Sequence, residues 1–370
     1  MQFSVDPGRF ADAVAAAGRI IPAKPVQPEH GGILLAADSN AVTMQAYDLE
    51  TSISMHVDAA VAEPGRALVS GRLLAQVGKV LPRKPVRVTE NNDALVIEAG
   101  KSAFRLPLMP AGRYPTPPVP VGASGEVDGE RFAAAIGAAC SALTGADAVA
   151  IKSLFGVRLE TEDGRMIVIA TDKFRMAVEY LDWTGGEAEI LLPPVALDAA
   201  AKALRAGPAM LHFGSTFGIS SGATVSTMRS LDQGYPAWRK VLEFPHVAMA
   251  TVDSGELVAA LRRAEVVAGK LPHVILNAAD GCLQVSAAKT EDVQGAALEI
   301  IECRVIGTSI ATKVNAEYLK SMVAGLKSDH VTLGFSDPPN MRPLLGFPVE
   351  HVDDLTKPDV TSLFAVMPIR

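Results

Sequence analysis

The chain has 370 residues, 49% hydrophobic and only 5% aromatic, with a net charge of −7. That length exceeds one ordinary core, so two or three domains filled by aliphatic side chains are expected, and the negative charge argues against indiscriminate adhesion to nucleic acid. Three scattered cysteines, no basic leader and no long apolar run argue against a disulfide framework, secretion or a membrane span, so a cytoplasmic protein is expected.

In chain order, the first signal is Val5-Asp6 followed by a large apolar residue, Phe10, and then Ala13, Val14 and Ala17. This spacing predicts a helix entered from a short strand and buried along that face. A second helix is predicted over 71–81, then strands at Val86–Val88, Leu95–Ile97 and Phe104–Leu106, with a turn at Glu90-Asn91-Asn92-Asp93. Tyr114-Pro115 opens a proline-rich connector, which stiffens a joint. The opening pattern returns without a gap 122 positions later at Val127-Asp128 and Phe132. After it come a turn at Glu162-Asp163-Gly164, a strand at Met166–Ala170, a helix over 195–206 and a second joint at Tyr235-Pro236. A third copy follows after 125 more positions at Val252-Asp253 and Leu257, with a helix over 315–327 and a strand over His330–Phe335. Three tandem α+β domains are therefore expected, over 1–122, 123–245 and 246–370.

Units of this size suit a ring. A domain of ~120 residues is roughly 35 Å across; three such bodies in a circle leave a hole of about 5 Å, and six leave one of roughly 35 Å. Duplex DNA, about 20 Å wide, would need two chains joined head to tail with two-fold symmetry. The six expected helices, 7–20, 71–81, 129–143, 195–206, 255–269 and 315–327, carry eleven basic residues: Arg9, Arg19, Arg72, Lys79, Arg131, Lys202, Arg205, Arg262, Arg263, Lys320 and Lys327. Six acids oppose them, so the helices are +5 and the remainder −12. Helices lining a hole would give phosphates a positive wall without base readout; the plainer alternative is charged helix faces that are simply solvated.

Four stretches carry a resemblance: Ala170-Thr171-Asp172-Lys173-Phe174-Arg175-Met176-Ala177, Tyr235-Pro236-Ala237-Trp238-Arg239-Lys240-Val241-Leu242, Asn315-Ala316-Glu317-Tyr318-Leu319 and Val366-Met367-Pro368-Ile369-Arg370. In this order the chain resembles, over essentially its whole length, the beta subunit of bacterial DNA polymerase III, the sliding-clamp family. The resemblance implies three copies of the clamp domain, with antiparallel sheets outside and two helices per domain inside, closing as a head-to-tail homodimeric ring around double-stranded DNA. It implies no catalysis, no cofactor and no metal. The ring interior would present Arg9, Arg19, Lys24, Arg72, Lys79, Arg131, Lys202, Arg205, Arg262, Arg263 and Lys320. It also implies a groove for short linear peptides of the polymerase III alpha subunit, the clamp loader, and other polymerases and repair proteins. That groove would comprise Leu154, Thr171, Lys173, Phe174, Arg175, Met176, Pro236, Lys240, Val241, Tyr318, Pro343, Leu344, Met367, Pro368, Ile369 and Arg370, with Arg175 and Arg370 holding polar ends of the peptide. Dimer contacts would pair Phe104 and Leu106, on an edge strand, with Val266 and Val267 on a helix.

The chain departs from the family pattern at Lys173, where glycine is common, at Trp238, where tyrosine is usual, and at Lys240, where arginine is usual. These changes leave open a specialised clamp copy, phage-borne or inhibitor-resistant, with altered partner preference. No motif supports an enzyme. Ala99-Gly100-Lys101-Ser102 mimics the end of a phosphate loop, but Leu95 stands at the upstream glycine position and the context is strand. The seven histidines show no metal-ligand spacing, and Asp172 is expected to cap a turn rather than act as an acid or base.

Overall fold

The structure, a computed structural model, describes residues 1–143, 156–204, 206–268, 272–287 and 295–369. The first third runs β1 (Gln2–Val5), α1 (Pro7–Arg19), β2 (Gly32–Asp38), β3 (Ala41–Tyr47), β4 (Thr51–Glu63), β5 (Gly65–Ser70), α2 (Gly71–Val80), β6 (Val86–Asn91), β7 (Ala94–Ala99) and β8 (Ser102–Met109). The middle third runs β9 (Ala123–Asp128), α3 (Gly129–Ser141), β10 (Val157–Glu162), β11 (Arg165–Thr171), β12 (Arg175–Asp182), β13 (Ala188–Leu192), α4 (Pro194–Ala201), β14 (Pro208–Phe213), β15 (Phe217–Ser221) and β16 (Thr224–Met228). The last third runs β17 (His246–Asp253), α5 (Ser254–Val267), β18 (His273–Ala279), β19 (Cys282–Ala287), β20 (Leu298–Glu302), β21 (Arg304–Gly307), β22 (Ile310–Asn315), α6 (Ala316–Leu326), β23 (His330–Ser336), β24 (Leu344–Phe347) and β25 (Ser362–Val366).

The repeated Val-Asp pair has a physical reason. The aspartate caps the helix that follows: Oδ1 accepts from Arg9 N at 2.9 Å for Asp6, from Arg131 N at 2.8 Å for Asp128 and from Glu256 N at 2.7 Å for Asp253. Each bond satisfies one of the four backbone donors that a helix start leaves orphaned. The preceding valine and the large apolar residue at the fourth position after the cap (Phe10, Phe132, Leu257) are buried in all three copies. The expected α1 face of Phe10, Ala13, Val14 and Ala17 is wholly buried.

The second helices start by different means. Ser70 caps α2 and Asn315 caps α6, whereas α4 begins at Pro193-Pro194 with no side-chain cap, proline lacking the donor that would need one. Helix α4 also stops short of the expected 206. Ala203 N and Leu204 N bond three residues back, to Ala200 O and Ala201 O, which tightens the last turn, and Gly207 at φ 113° leads into β14. The expected turns hold, with Asn92, Asp163 and Gly164 at positive φ. The phosphate-loop mimic is the β7–β8 hairpin, turning at Gly100 with φ 60°.

By contacts the described residues divide into two compact units, 1–133 with 182–231, and 134–181 with 232–370. The middle third therefore contributes to both. In the first unit an antiparallel sheet runs β1-β6-β7-β8-β5-β2-β3-β4-β16-β15-β14-β9. Strand β1 also pairs with the far half of β4, Phe3 against Val61 and Val5 against Ala59, which closes eight strands on themselves around the α1 and α2 faces. The near half of β4 pairs with β16, Met55 against Thr224 through Thr51 against Met228. In the second unit one sheet runs β10-β11-β12-β25-β24-β23-β17-β21 and another β20-β19-β18-β22. Here the junction strand pair is β12–β25, Arg175 against Val366 through Glu179 against Ser362. Leu257, Ala260, Leu261 and Ala264 of α5 are buried, as are Leu319, Met322 and Val323 of α6. No helix among the described residues is long and apolar enough to cross a membrane.

Candidate functional site

The β11–β12 turn is organised by one carboxylate. Asp172 Oδ1 accepts from Phe174 N and Arg175 N, both at 2.9 Å, and Oδ2 accepts from Arg175 Nε at 3.0 Å. Thr171 Oγ1 accepts from Lys173 N at 3.2 Å and donates to Arg175 O at 2.8 Å. These bonds hold Lys173 at φ 79°, the left-handed region where a side chain is costly. The turn points Phe174 outward, 43% exposed, its ring stacked on Tyr318 of α6 with centroids 6.0 Å apart. Arg175 points inward instead. Its guanidinium lies 4.5 Å from the Tyr318 ring centre and Nη1 donates to Ser321 Oγ at 2.7 Å. The Arg175 charge, expected to hold the polar end of a peptide, is buried and matched by Asp172.

Beside this turn lies an apolar cavity of about 260 Å³, lined by Thr171, Lys173, Arg175, Met176, Pro236, Trp238, Val241, Ala365 and Met367. Seven of these were expected from the sequence; Trp238 and Ala365 were not. Alternation along β25 toward Met367 places Ala365 on the Met367 face, a signal the sequence does contain. Phe174 and Tyr318 stack on each other outside this lining, and Lys240 is exposed and also outside it. Pro343 and Leu344 line a separate narrow crevice with Phe335 and Arg342, and Leu344 is buried in the β24–β25 ladder opposite Val366. Pro368 and Ile369 are half-buried, and the chain end is docked: Met367 N donates to Phe174 O and Ile369 N to Lys313 O, both at 2.7 Å. Leu154 and Arg370 lie outside the described residues.

The wall formed by 235–241 is pinned from behind. Tyr235 Oη donates to Ile169 O at 3.2 Å, and burial pushes its phenol pKa up. Trp238 Nε1 donates to Glu160 Oε1 at 3.1 Å, and Arg239 bridges Glu160 and Glu162 at 2.7 and 2.8 Å while stacking on Trp238. Burial alone would raise the Glu160 pKa. The hydrogen bonds from Trp238, Arg158 and Arg239 outweigh it and hold the carboxyl below its ordinary range.

Among the described residues, β8 and β20 each present an edge without a paired strand. Residues 102–107 of β8 pair only with β7, since β5 engages just Leu108 and Met109. Phe104 on this edge is half-buried against its own core, and Leu106, expected beside it in a dimer contact, is 1% exposed and belongs to that core. On α5, Val266 is 83% exposed and Val267 half-buried. Strand β20, the edge of the smaller sheet, exposes Leu298 and Ile300. The sequence reading missed that pair, because the intervening Glu299 folds back onto Arg263 and Ile301 is the residue that faces inward.

Among the expected phosphate-facing cations, Arg19, Lys24, Arg72, Lys79, Arg131 and Arg262 are exposed. Arg9 pairs with Asp58, Lys202 with Asp198 and Arg263 with Glu299. Exposed pairs of this kind are weak and exchange readily with other anions. Lys320 is different: it is half-buried on Glu265 and is not a free surface cation. Arg205 lies outside the described residues. Among the described residues no group of three or more His, Cys, Asp or Glu side chains is placed to hold a metal ion.

Comparison with known proteins gives three consecutive matches to one family. The DNA polymerase III beta subunit N-terminal, central and C-terminal domains match residues 1–118, 126–237 and 240–353. The chain is 29% identical to the beta sliding clamp of Streptomyces coelicolor, covering 100% of this chain and 99% of that one. It is 26% identical, at the same coverage, to the beta sliding clamp homolog GriR of Streptomyces muensis. Among solved structures it is similar to the Thermotoga maritima beta subunit, with TM-score 0.87, 22% identity and coverage of 100% and 99%. It is likewise similar to the Pseudomonas aeruginosa sliding clamp bound to griselimycin, with TM-score 0.85, 21% identity and the same coverage. The chain belongs to the DNA polymerase III beta subunit family and is built of that family's three domains in tandem.

Proposed function

We propose that this protein is a non-catalytic processivity factor. Two chains close head to tail around double-stranded DNA in the cytoplasm, and the groove tethers the polymerase III alpha subunit, the clamp loader and other polymerases and repair proteins by short peptides. The observation that carries the proposal is the run of three family matches across residues 1–353. Domain limits of 1–122, 123–245 and 246–370 go with it. Support for head-to-tail closure comes from two unlike open edges, β8 with Phe104, and β20 with Leu298 and Ile300 beside Val266 and Val267 of α5. An uncovered edge invites another strand. Exposed Arg19, Lys24, Arg72, Lys79, Arg131 and Arg262 supply phosphate attraction without sequence readout.

Loading onto a nicked DNA circle, followed by linearisation, tests the proposal. The protein stays on the circle and leaves the cut DNA; release that ignores linearisation overturns encirclement. For the groove, Met367→Ala with Pro368→Ala weakens binding of a polymerase tail peptide while the dimer persists, as read by anisotropy and sedimentation.

A further inference from the structure

Two of the nine groove-lining residues carry charge, and their situations are opposite. Arg175 is buried and neutralised by Asp172 at 3.0 Å. Lys173 is exposed, and among the described residues no carboxylate lies within ion-pair distance of its ammonium. The rest of the lining is threonine, alanine, proline, valine, methionine and tryptophan, with no acid. Lys240, between the wall residues Trp238 and Val241, is also exposed. A chain with net charge −7 thus keeps an unmatched cation on the lip of an apolar groove.

The backbone makes this position informative. At φ 79° a glycine would sit without strain, whereas a lysine must be held there by the Thr171 and Asp172 hydrogen bonds. A lysine in place of glycine at such a backbone angle adds nothing to folding; what it adds is a charged side chain at the groove.

We infer that Lys173 sets partner choice, selecting apolar peptides that carry an acidic residue beside their groove-filling side chains. The inference rests on the groove reading and narrows it. Aliphatic and aromatic side chains of the peptide fill the cavity against Met176, Trp238 and Met367, while its carboxylate meets the Lys173 ammonium at the rim. Rim charges act chiefly on encounter and discrimination, so the preference weakens as salt screens it.

Two short peptides with the same leucine and phenylalanine residues, one bearing Asp and the other Asn at a single flanking position, are titrated by anisotropy against the full-length protein. The expected result is roughly fivefold tighter binding of the Asp peptide at low ionic strength, shrinking at high salt. Lys173→Gly, which relieves the backbone strain and so keeps the fold, abolishes the difference, and Lys173→Glu reverses it. Equal binding of both peptides by the unmodified protein overturns the inference and leaves the groove standing. A preference that survives in Lys173→Gly assigns it to another residue and also overturns it. Failure of both peptides to bind removes the groove reading beneath it.

Discussion

The β4–β16 and β12–β25 ladders are two versions of one junction. Each joins a strand of the middle third to a strand of a flanking third by five antiparallel residue pairs. Each lies in a unit with a Tyr-Pro joint whose phenol donates to a strand carbonyl, Tyr114 to Gln45 O at 3.1 Å and Tyr235 to Ile169 O at 3.2 Å. Their side chains differ. The first ladder is closed by short hydroxyls, Ser52 and Thr227 bonding at 2.6 Å with Thr224 and Ser226 buried alongside. The second is flanked by Met176, Ala365 and Met367 and leaves the apolar groove open. Backbone pairing is equally satisfied in both, so the junction itself does not make a binding site. At the second junction Ala365 leaves room and the half-buried Met367 can adapt to what enters, whereas the methionines of the first, Met55 and Met228, are buried. A buried ion pair then fixes the turn at the groove's edge, where the first junction has, among the described residues, the exposed pair Arg229–Glu50.

The sharpest way to break this contrast is Asp172→Ala. It strands the buried Arg175 charge and removes the acceptor of two backbone donors, for a loss of about 3–5 kcal/mol in denaturant unfolding of the second unit. No junction residue of the first unit has an equivalent effect.

Acid separates the two units next. His246 is buried in the second unit on β17, with Nδ1 3.4 Å from Ser336 Oγ and its ring edge-on to Phe347. Burial first, and the charge of Lys357 second, lower its pKa from 6.5 to about 4. The unfolded chain therefore binds this proton more readily than the folded one. Stability from this group is complete above pH 6.5, declines as pH falls toward about 4 and levels off below that. The full span is about 3 kcal/mol. Urea melts of the wild-type protein and His246→Gln at pH 7 and 4.5 should diverge in that sense; parallel melts would refute it.

The hydroxyl-filled junction should yield less and in a distinct pattern. Ser52→Ala or Thr227→Val alone leaves a buried hydroxyl unpaired and costs about 1–3 kcal/mol, while the double replacement recovers most of the loss. Additive losses in the double variant would mean the two hydroxyls do not depend on each other. Smallest of all, Lys173→Gly should raise the unfolding midpoint slightly, by under about 1 kcal/mol, since relief of the left-handed strain exceeds the added freedom of the unfolded chain. A fall in midpoint would count against the strain.

What the sequence by itself determined is everything with a short period. The three Val-Asp starts, the buried α1 face, the turns at Asn92 and Asp163-Gly164 and the two Tyr-Pro joints are local, because helix faces and turns depend on residues a few positions apart. Most of the groove was legible too, since family motifs marked Thr171, Met176, Pro236, Val241 and Met367. What only the tertiary structure decided is non-local. Sheet pairing splits the middle third between two units, buries Leu106, opens β20 at Leu298 and Ile300, draws Lys320 onto Glu265 and turns Arg175 inward onto Asp172 and Ser321. Several of those outcomes depend on which element arrives from far along the chain, as Ser321 does from 146 residues away to reach Arg175 and Glu265 from 55 residues away to reach Lys320, and local periodicity does not encode such a neighbour.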